Sequence, residues 1–240
     1  MKRICFFIGI LTLTFAGMAS AVTVSLQTIQ TTNFSGCGVG CLQIGDKQFT
    51  SLGITGHNTS TEGAWTEANI DVDGVIDPDG TVNILFNLPA TAGNGLSNLS
   101  DFNLAYTVTV IGNQLIDSID QHIAGVAGLN NGFVQVSEHV SNLAGTTELA
   151  NSVVTIPGDP NDPDGEANDV LKLTVPSSAV KVVKDVQITA GSLAGISGQS
   201  SLTQIRQSFH QIPEPAQSAL MLFGCLAIGL YYKSRNRAQA

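Results

Sequence analysis

Between residues 22 and 212, apolar side chains return at every second position in short runs, and Gly, Asn, Asp or Pro closes most of them. A period of two places one set of side chains on each face of an extended chain, so this pattern selects half-buried strands over helices. The strongest run covers residues 102–111 (FNLAYTVTVI), and the Gly112-Asn113 pair after it predicts a hairpin into residues 115–123. Residues 22–30 alternate too, with Val22, Val24, Leu26 and Thr28 on one face. Further strands are expected at 41–44, 49–54, 65–72, 81–88, 133–140, 153–156, 170–175, 180–189 and 202–211, with Trp65 as a core anchor. Asp79-Gly80 and Pro89 bound the run at 81–88 with turn chemistry. A short helix fits near 141–150, and no long stretch carries helical spacing. Many short strands with regular turns predict an all-β fold, a single antiparallel β-sandwich domain.

The two ends of the chain follow other rules. Lys2 and Arg3 precede an apolar stretch at 4–15, and Ala19-Ser20-Ala21 forms an A-x-A cleavage site. Residues 1–21 therefore read as a signal peptide, with Val22 as the first mature residue. At the other end, Pro213-Glu214-Pro215 leads into an apolar run at 216–232 and a basic end with Lys233, Arg235 and Arg237. The prolines keep the backbone extended, the run predicts a C-terminal membrane helix, and the cations hold the end on the cytoplasmic side. The 17 residues of the run span about 25 Å at the helical rise, short of the roughly 30 Å hydrocarbon core. Such a span suits a temporary hold.

This order of Pro-Glu-Pro, span and basic cluster resembles the PEP-CTERM sorting signal of Gram-negative bacteria. The resemblance covers only residues 213–240. It implies recognition at Pro213, Glu214 and Pro215 by a membrane-embedded exosortase, with cleavage nearby and release or transfer of the body outward. The implied partners are the general secretion machinery and exosortase, with transient insertion in the inner membrane before the cell surface or extracellular matrix is reached. A plain single-span anchor is the rival reading. The expected organisation is a signal peptide at 1–21, an exported domain at 22–212 and a sorting tail at 213–240.

Removing the ends sharpens the charge. The body keeps Lys47, Lys172, Lys181, Lys184 and Arg206 against every acidic residue but Glu214, a net charge of −13 over 191 residues. That charge repels phosphate backbones and excludes nucleic acid as a partner, while cations and neutral sugars remain. Of the four cysteines only Cys37 and Cys41 lie in the body. In an oxidising compartment they are expected to close a disulfide loop around Gly38-Val39-Gly40.

Two acidic clusters carry the possible chemistry. One holds Asp71, Asp73, Asp77 and Asp79; the other holds Asp159, Asn161, Asp162, Asp164, Glu166, Asn168 and Asp169. Calcium takes six to eight oxygens, so Asp159, Asn161, Asp162, Asp164 and Asp169 form a candidate calcium set, although neither cluster completes an EF-hand. The bland alternative is ordinary loop composition. His57, His122, His139 and His210 fall in no zinc or protease spacing, and Gly195-Ile196-Ser197-Gly198-Gln199 breaks the nucleophile-elbow pattern at its last residue. The chain reads as non-enzymatic. The expected role is structural or adhesive, and the resemblance places it in an exopolysaccharide or biofilm layer. The rivals are a calcium-dependent glycan-binding module and a secreted hydrolase.

Overall fold

A computed structural model describes residues 22–33, 35–56, 66–93, 99–128, 132–158, 164–193 and 196–213. In chain order the elements are β1 (Val22–Ser25), α1 (Leu26–Thr31), β2 (Cys41–Ile44), β3 (Lys47–Thr55) and a 3₁₀ turn (Glu67–Asn69). Then come β4 (Asp71–Ile76), β5 (Val82–Ala92), β6 (Leu99–Val110), β7 (Gln114–Val126) and β8 (Phe133–Ser141). The last are β9 (Glu148–Pro157), β10 (Asp164–Ser177), β11 (Ala179–Thr189), β12 (Ser192–Leu193), β13 (Ile196–Ser197) and β14 (Ser200–Pro213).

Twelve strands build two antiparallel sheets, in the orders β1-β4-β5-β14-β7-β10 and β2-β3-β6-β11-β8-β9, and β12 and β13 pair as a small ribbon. The chain is all-β and sandwich-like, as the alternation predicts. Inward residues from both sheets meet in one apolar core. Its centre is aromatic: Phe49 and Tyr106 of the second sheet meet Phe209 and Phe86 of the first, with ring centroids 5.6 Å apart for Phe49–Phe209 and 5.5 Å for Phe86–Tyr106. Such tilted and edge-on pairs contribute beyond the area they bury.

Five local expectations are overturned. The strand expected at 65–72 is displaced: Asn69 N bonds Thr66 O at 2.8 Å in the 3₁₀ turn, and the strand begins only at Asp71. Residues 22–30 do not form one strand. After β1, Ser25 Oγ accepts from Thr28 N at 3.2 Å and starts α1, which buries Leu26 and Ile29 on one side. That i, i+3 pair closes an end of the core, and a serine cap outweighs the weak alternation. The turn after residue 110 is no hairpin either. Both edges of β6 are taken by β3 and β11, and both edges of β7 by β14 and β10, so the chain crosses between sheets at Gly112, whose φ is +112°.

No helix forms near 141–150. Asn142 Oδ1 accepts from Thr146 N at 3.0 Å and from Thr147 N at 3.3 Å, which folds this stretch into the β8–β9 hairpin loop. Finally, Pro89 lies within β5 instead of ending it. It sits where the β14 register shifts, between Asn87 and Ala90, and beyond the last β4 partner at Asn87. A residue without an N–H is tolerated at such a break. Trp65 lies outside the described residues.

One part of the interior is polar. Lys184 of β11 donates to Glu138 Oε2 of β8 at 2.7 Å and to Gln121 Oε1 of β7. Gln207 Nε2 of β14 donates to Glu138 Oε1 at 2.6 Å, Tyr106 of β6 donates to Gln207 Oε1, and Gln121 Nε2 reaches Val136 O at 3.2 Å. All five side chains are shut off from solvent, with Lys184, Gln121 and Gln207 fully buried. Burial lowers the pKa of Lys184 against the opposing pull of the Glu138 carboxylate.

Candidate functional site

The outward face of the first sheet is polar along its middle strands. On β14 the inward positions are Ile205, Gln207 and Phe209, so Gln204, Arg206, Ser208 and His210 point outward. On β7 the inward positions are Ile119, Gln121 and Ile123, which turns Asp120 and His122 to the same outer face. Register then fixes the neighbours. Arg206 lies opposite His122 and Leu85, Ser208 lies opposite Asp120 and Asn83, and Asn168 of β10 lies beside His122.

These side chains line an open cleft of about 360 Å³, rimmed by Asp77, Asp79 and Thr81 on one side and by Asn168, Asp169 and Val170 on the other. The Asp77 side is tightly held. Arg206 donates to Asp77 Oδ2 at 3.1 Å and to Asn83 Oδ1 at 3.0 Å, Asn83 Nδ2 donates to Asp77 Oδ2 at 2.9 Å, and Ser208 Oγ donates to Asn83 Oδ1 at 2.6 Å. Asn83 is fully buried beneath this lattice. Asp79 accepts from Thr81 N at 2.9 Å, and that backbone bond holds its carboxyl below the usual range.

The β7 side is looser. His210 Nε2 donates to Asp120 Oδ2 at 2.7 Å, while Asp120 Oδ1 is buried and has no hydrogen-bond partner. A histidine–carboxylate pair beside a serine suggests hydrolysis, but the geometry differs. Ser208 gives its proton to Asn83 and makes no bond to His210. Arg206, the imidazoles, Asp120 and Asn168 together offer planar donors and acceptors to a ligand rich in hydroxyl groups.

The residues singled out in the sequence lie elsewhere. Cys37 and Cys41 are disulfide-bonded with Cα atoms 5.7 Å apart, near α1 and remote from the cleft. Pro213 is the last residue of β14 and pairs with Gln114. Ala19, Ala21, Glu214, Pro215, Lys233, Arg235 and Arg237 lie outside the described residues, as do Asp159, Asn161 and Asp162. Asp164 and Asp169 belong to one extended strand, β10, which sets them about 16 Å apart at the strand rise. That spacing is wider than one calcium shell.

Asp71, Asp73, Asp77 and Asp79 do not converge either. Asp73 accepts from Asn87 Nδ2 at 2.8 Å, and Asp77 is held by Arg206. Among the described residues, no group of three or more His, Cys, Asp or Glu side chains is placed to hold a metal, and no helix is long and apolar enough to cross a membrane. The run at 216–232 lies outside those residues.

No family model matches this chain, and no curated protein does. Among solved structures, the enzymatically active domain of bacteriophage CBA120 tailspike protein 4 is similar at 11% identity and a TM-score of 0.31, over 78% of this chain and 22% of that one. This chain thus spans about a fifth of the tailspike domain. The xylan-binding module CBM15 is similar at 10% identity and a TM-score of 0.30, over 80% of this chain and 97% of that one. TmCBM61, solved with β-1,4-galactotriose, is similar at 12% identity and a TM-score of 0.28, over 79% and 94%. Likenesses this distant transfer no site residues.

Proposed function

We propose that this protein is an exported, non-enzymatic β-sandwich that holds a neutral polysaccharide on the outer face of its first sheet. The observation that carries the reading is the open polar cleft between the β4–β5 turn, β14, β7 and β10, lined by Asp120, His210, His122 and Arg206. Hydroxyl groups donate and accept at once, so a sugar chain can bond along this polar cleft without bringing charge into an already acidic face. A body with a net charge of −13 disfavours anionic glycans for the same reason. The test is affinity electrophoresis of the full chain through gels containing neutral or anionic polysaccharides. Retardation by a neutral one, lost in Asp120→Ala and in Arg206→Ala, supports the reading. Migration unaffected by every neutral polysaccharide overturns it.

The handling of the chain is the second part of the proposal. Pro213, Glu214 and Pro215, the run at 216–232 and Lys233, Arg235 and Arg237 support sorting by an exosortase, with delivery to the cell surface or matrix and an adhesive role there. Intact mass by cell fraction decides it. A species ending near Pro215 outside the membrane supports sorting. A species running from Val22 to Ala240 in the membrane identifies an ordinary anchored domain.

A further inference from the structure

We propose that Lys184 and Gln121 join in an intramolecular amide crosslink that ties the two sheets together through the core, with Glu138 carrying the protons. The reactants are already in contact. Lys184 Nζ donates to Gln121 Oε1, from β11 of the second sheet to β7 of the first, across 63 residues of sequence. Holding an amine against a carboxamide in one geometry replaces a bimolecular encounter with an intramolecular step, the largest help a fold gives to a slow acyl transfer.

The surroundings favour that step over its competitors. Lys184, Gln121 and Gln207 are fully buried, Glu138 and Tyr106 nearly so, and hydrolysis needs water that this core excludes. Removal from water disfavours the ammonium form, so transfer of a proton from Nζ to Glu138 costs less here than in water. Two carboxamides lie in the network and only one presents its carbonyl to the amine. Gln207 Oε1 is occupied by the Tyr106 hydroxyl, whereas Gln121 is turned by the bond from its Nε2 to Val136 O at 3.2 Å, so that its carbonyl meets Lys184. Glu138 is placed as the proton carrier. Its Oε2 accepts from Nζ at 2.7 Å, and its Oε1 is fixed by Gln207 at 2.6 Å.

The balance is simple. Proton transfer from the Lys184 ammonium to Glu138 gives a neutral amine and a carboxylic acid. The Nζ lone pair attacks Gln121 Cδ, and a C–N bond forms. Glu138 delivers its proton to Nε2, the Cδ–Nε2 bond breaks, one ammonia leaves, and the carboxylate takes the surplus proton from the attacking nitrogen. No oxidant, reductant or cofactor enters. The product is a secondary amide, which needs no counter-charge in the core. The crosslink is independent of whatever binds on the outer face, and it suits a body that works outside the cell.

The experiment is peptide mapping by mass spectrometry of the full chain, purified folded, then denatured and digested. The expected result is a linked pair of peptides containing Gln121 and Lys184, lighter than their sum by one ammonia, with fragment ions placing the bond on those two side chains. Unlinked peptides at their full masses overturn the proposal. So does a link from Lys184 to Glu138 with loss of water. Lys184→Arg and Glu138→Gln are expected to give unlinked chains, and a link that persists in Glu138→Gln overturns the role of Glu138. The wild-type map decides the crosslink even where a variant fails to fold.

Discussion

Lys184 Nζ lies 2.7 Å from Glu138 Oε2, and neither side chain has any surface in contact with solvent. Before any link forms, these are two oppositely charged side chains sealed in a sandwich core. Removing water from both is costly, and their attraction offsets the cost only because Gln121, Gln207 and Tyr106 complete the hydrogen bonding.

Replacing Glu138 with alanine removes the proton carrier of the proposed link and strands an unlinked Lys184 and the Gln207 amide in a dry interior. The expected loss is at least about 3–5 kcal/mol, the range for breaking a buried pair from one side. Urea unfolding followed by far-ultraviolet circular dichroism measures it. A loss under about 1 kcal/mol, typical of a solvated pair, would show that water reaches the site.

Tyr106 gives a pH dependence. Burial, and then the neighbouring Glu138 charge, push its phenol well above the ordinary value of 10.0. The folded state keeps this proton where the unfolded chain releases it, so stability is constant below pH 10.0 on this account and falls as the pH rises beyond it. The tyrosinate absorbance difference between the wild type and Tyr106→Phe should stay at zero until the fold is lost. A smooth titration in the native state would contradict the burial of the hydroxyl.

The bond between Cys37 and Cys41 closes a loop with a sequence separation of 4. So short a loop removes little chain entropy, about 2 kcal/mol in the unfolded-state treatment. Cys37→Ser should lower stability by no more than that and leave the sheets intact. A larger loss on reduction would mean that the loop orders α1, whose Ile29 carbonyl accepts from Gly40 N at 2.9 Å.

Binding at the cleft should survive chelation. Its groups are protein side chains from the β4–β5 turn, β14, β7 and β10, and Asp77, Asp120, Asp79 and Asp169 there are held by Arg206, His210, Thr81 N and Val170 N. Retardation by a neutral polysaccharide is expected to be the same with calcium and with a chelator. Loss on chelation, together with a calcium-dependent rise in melting temperature, would instead implicate the residues around Asp159 and Asp162.

Much of the fold is legible because alternation is a local property. The runs at 102–111, 133–140 and 180–189 each state which side chains face inward, and Phe102, Val136 and Val186 are indeed fully buried. The misreading after residue 110 has a tertiary cause. The sequence at Gly112-Asn113 says that the chain turns, and only competition for sheet edges by β3, β11, β14 and β10 decides that it turns into the other sheet. The serine cap of α1 was readable in principle, since Ser25 precedes Leu26 and Ile29 at helical spacing.

The cleft was not legible, and neither was the buried network. Asp120 and His210 are 90 residues apart, and Lys184 and Gln121 are 63 apart. No motif spans such distances. On the strand pattern, Lys184 and Glu138 read as ordinary polar positions, yet both face the core. The sequence by itself determined the class of fold, the acidic charge of the body and the cysteine pairing, because composition, period and adjacency carry those properties. The tertiary structure alone decided which strands became neighbours. Antiparallel register then set His210 against Asp120 and Lys184 against Glu138, since contact between distant residues is fixed by sheet order and not by anything written beside either one.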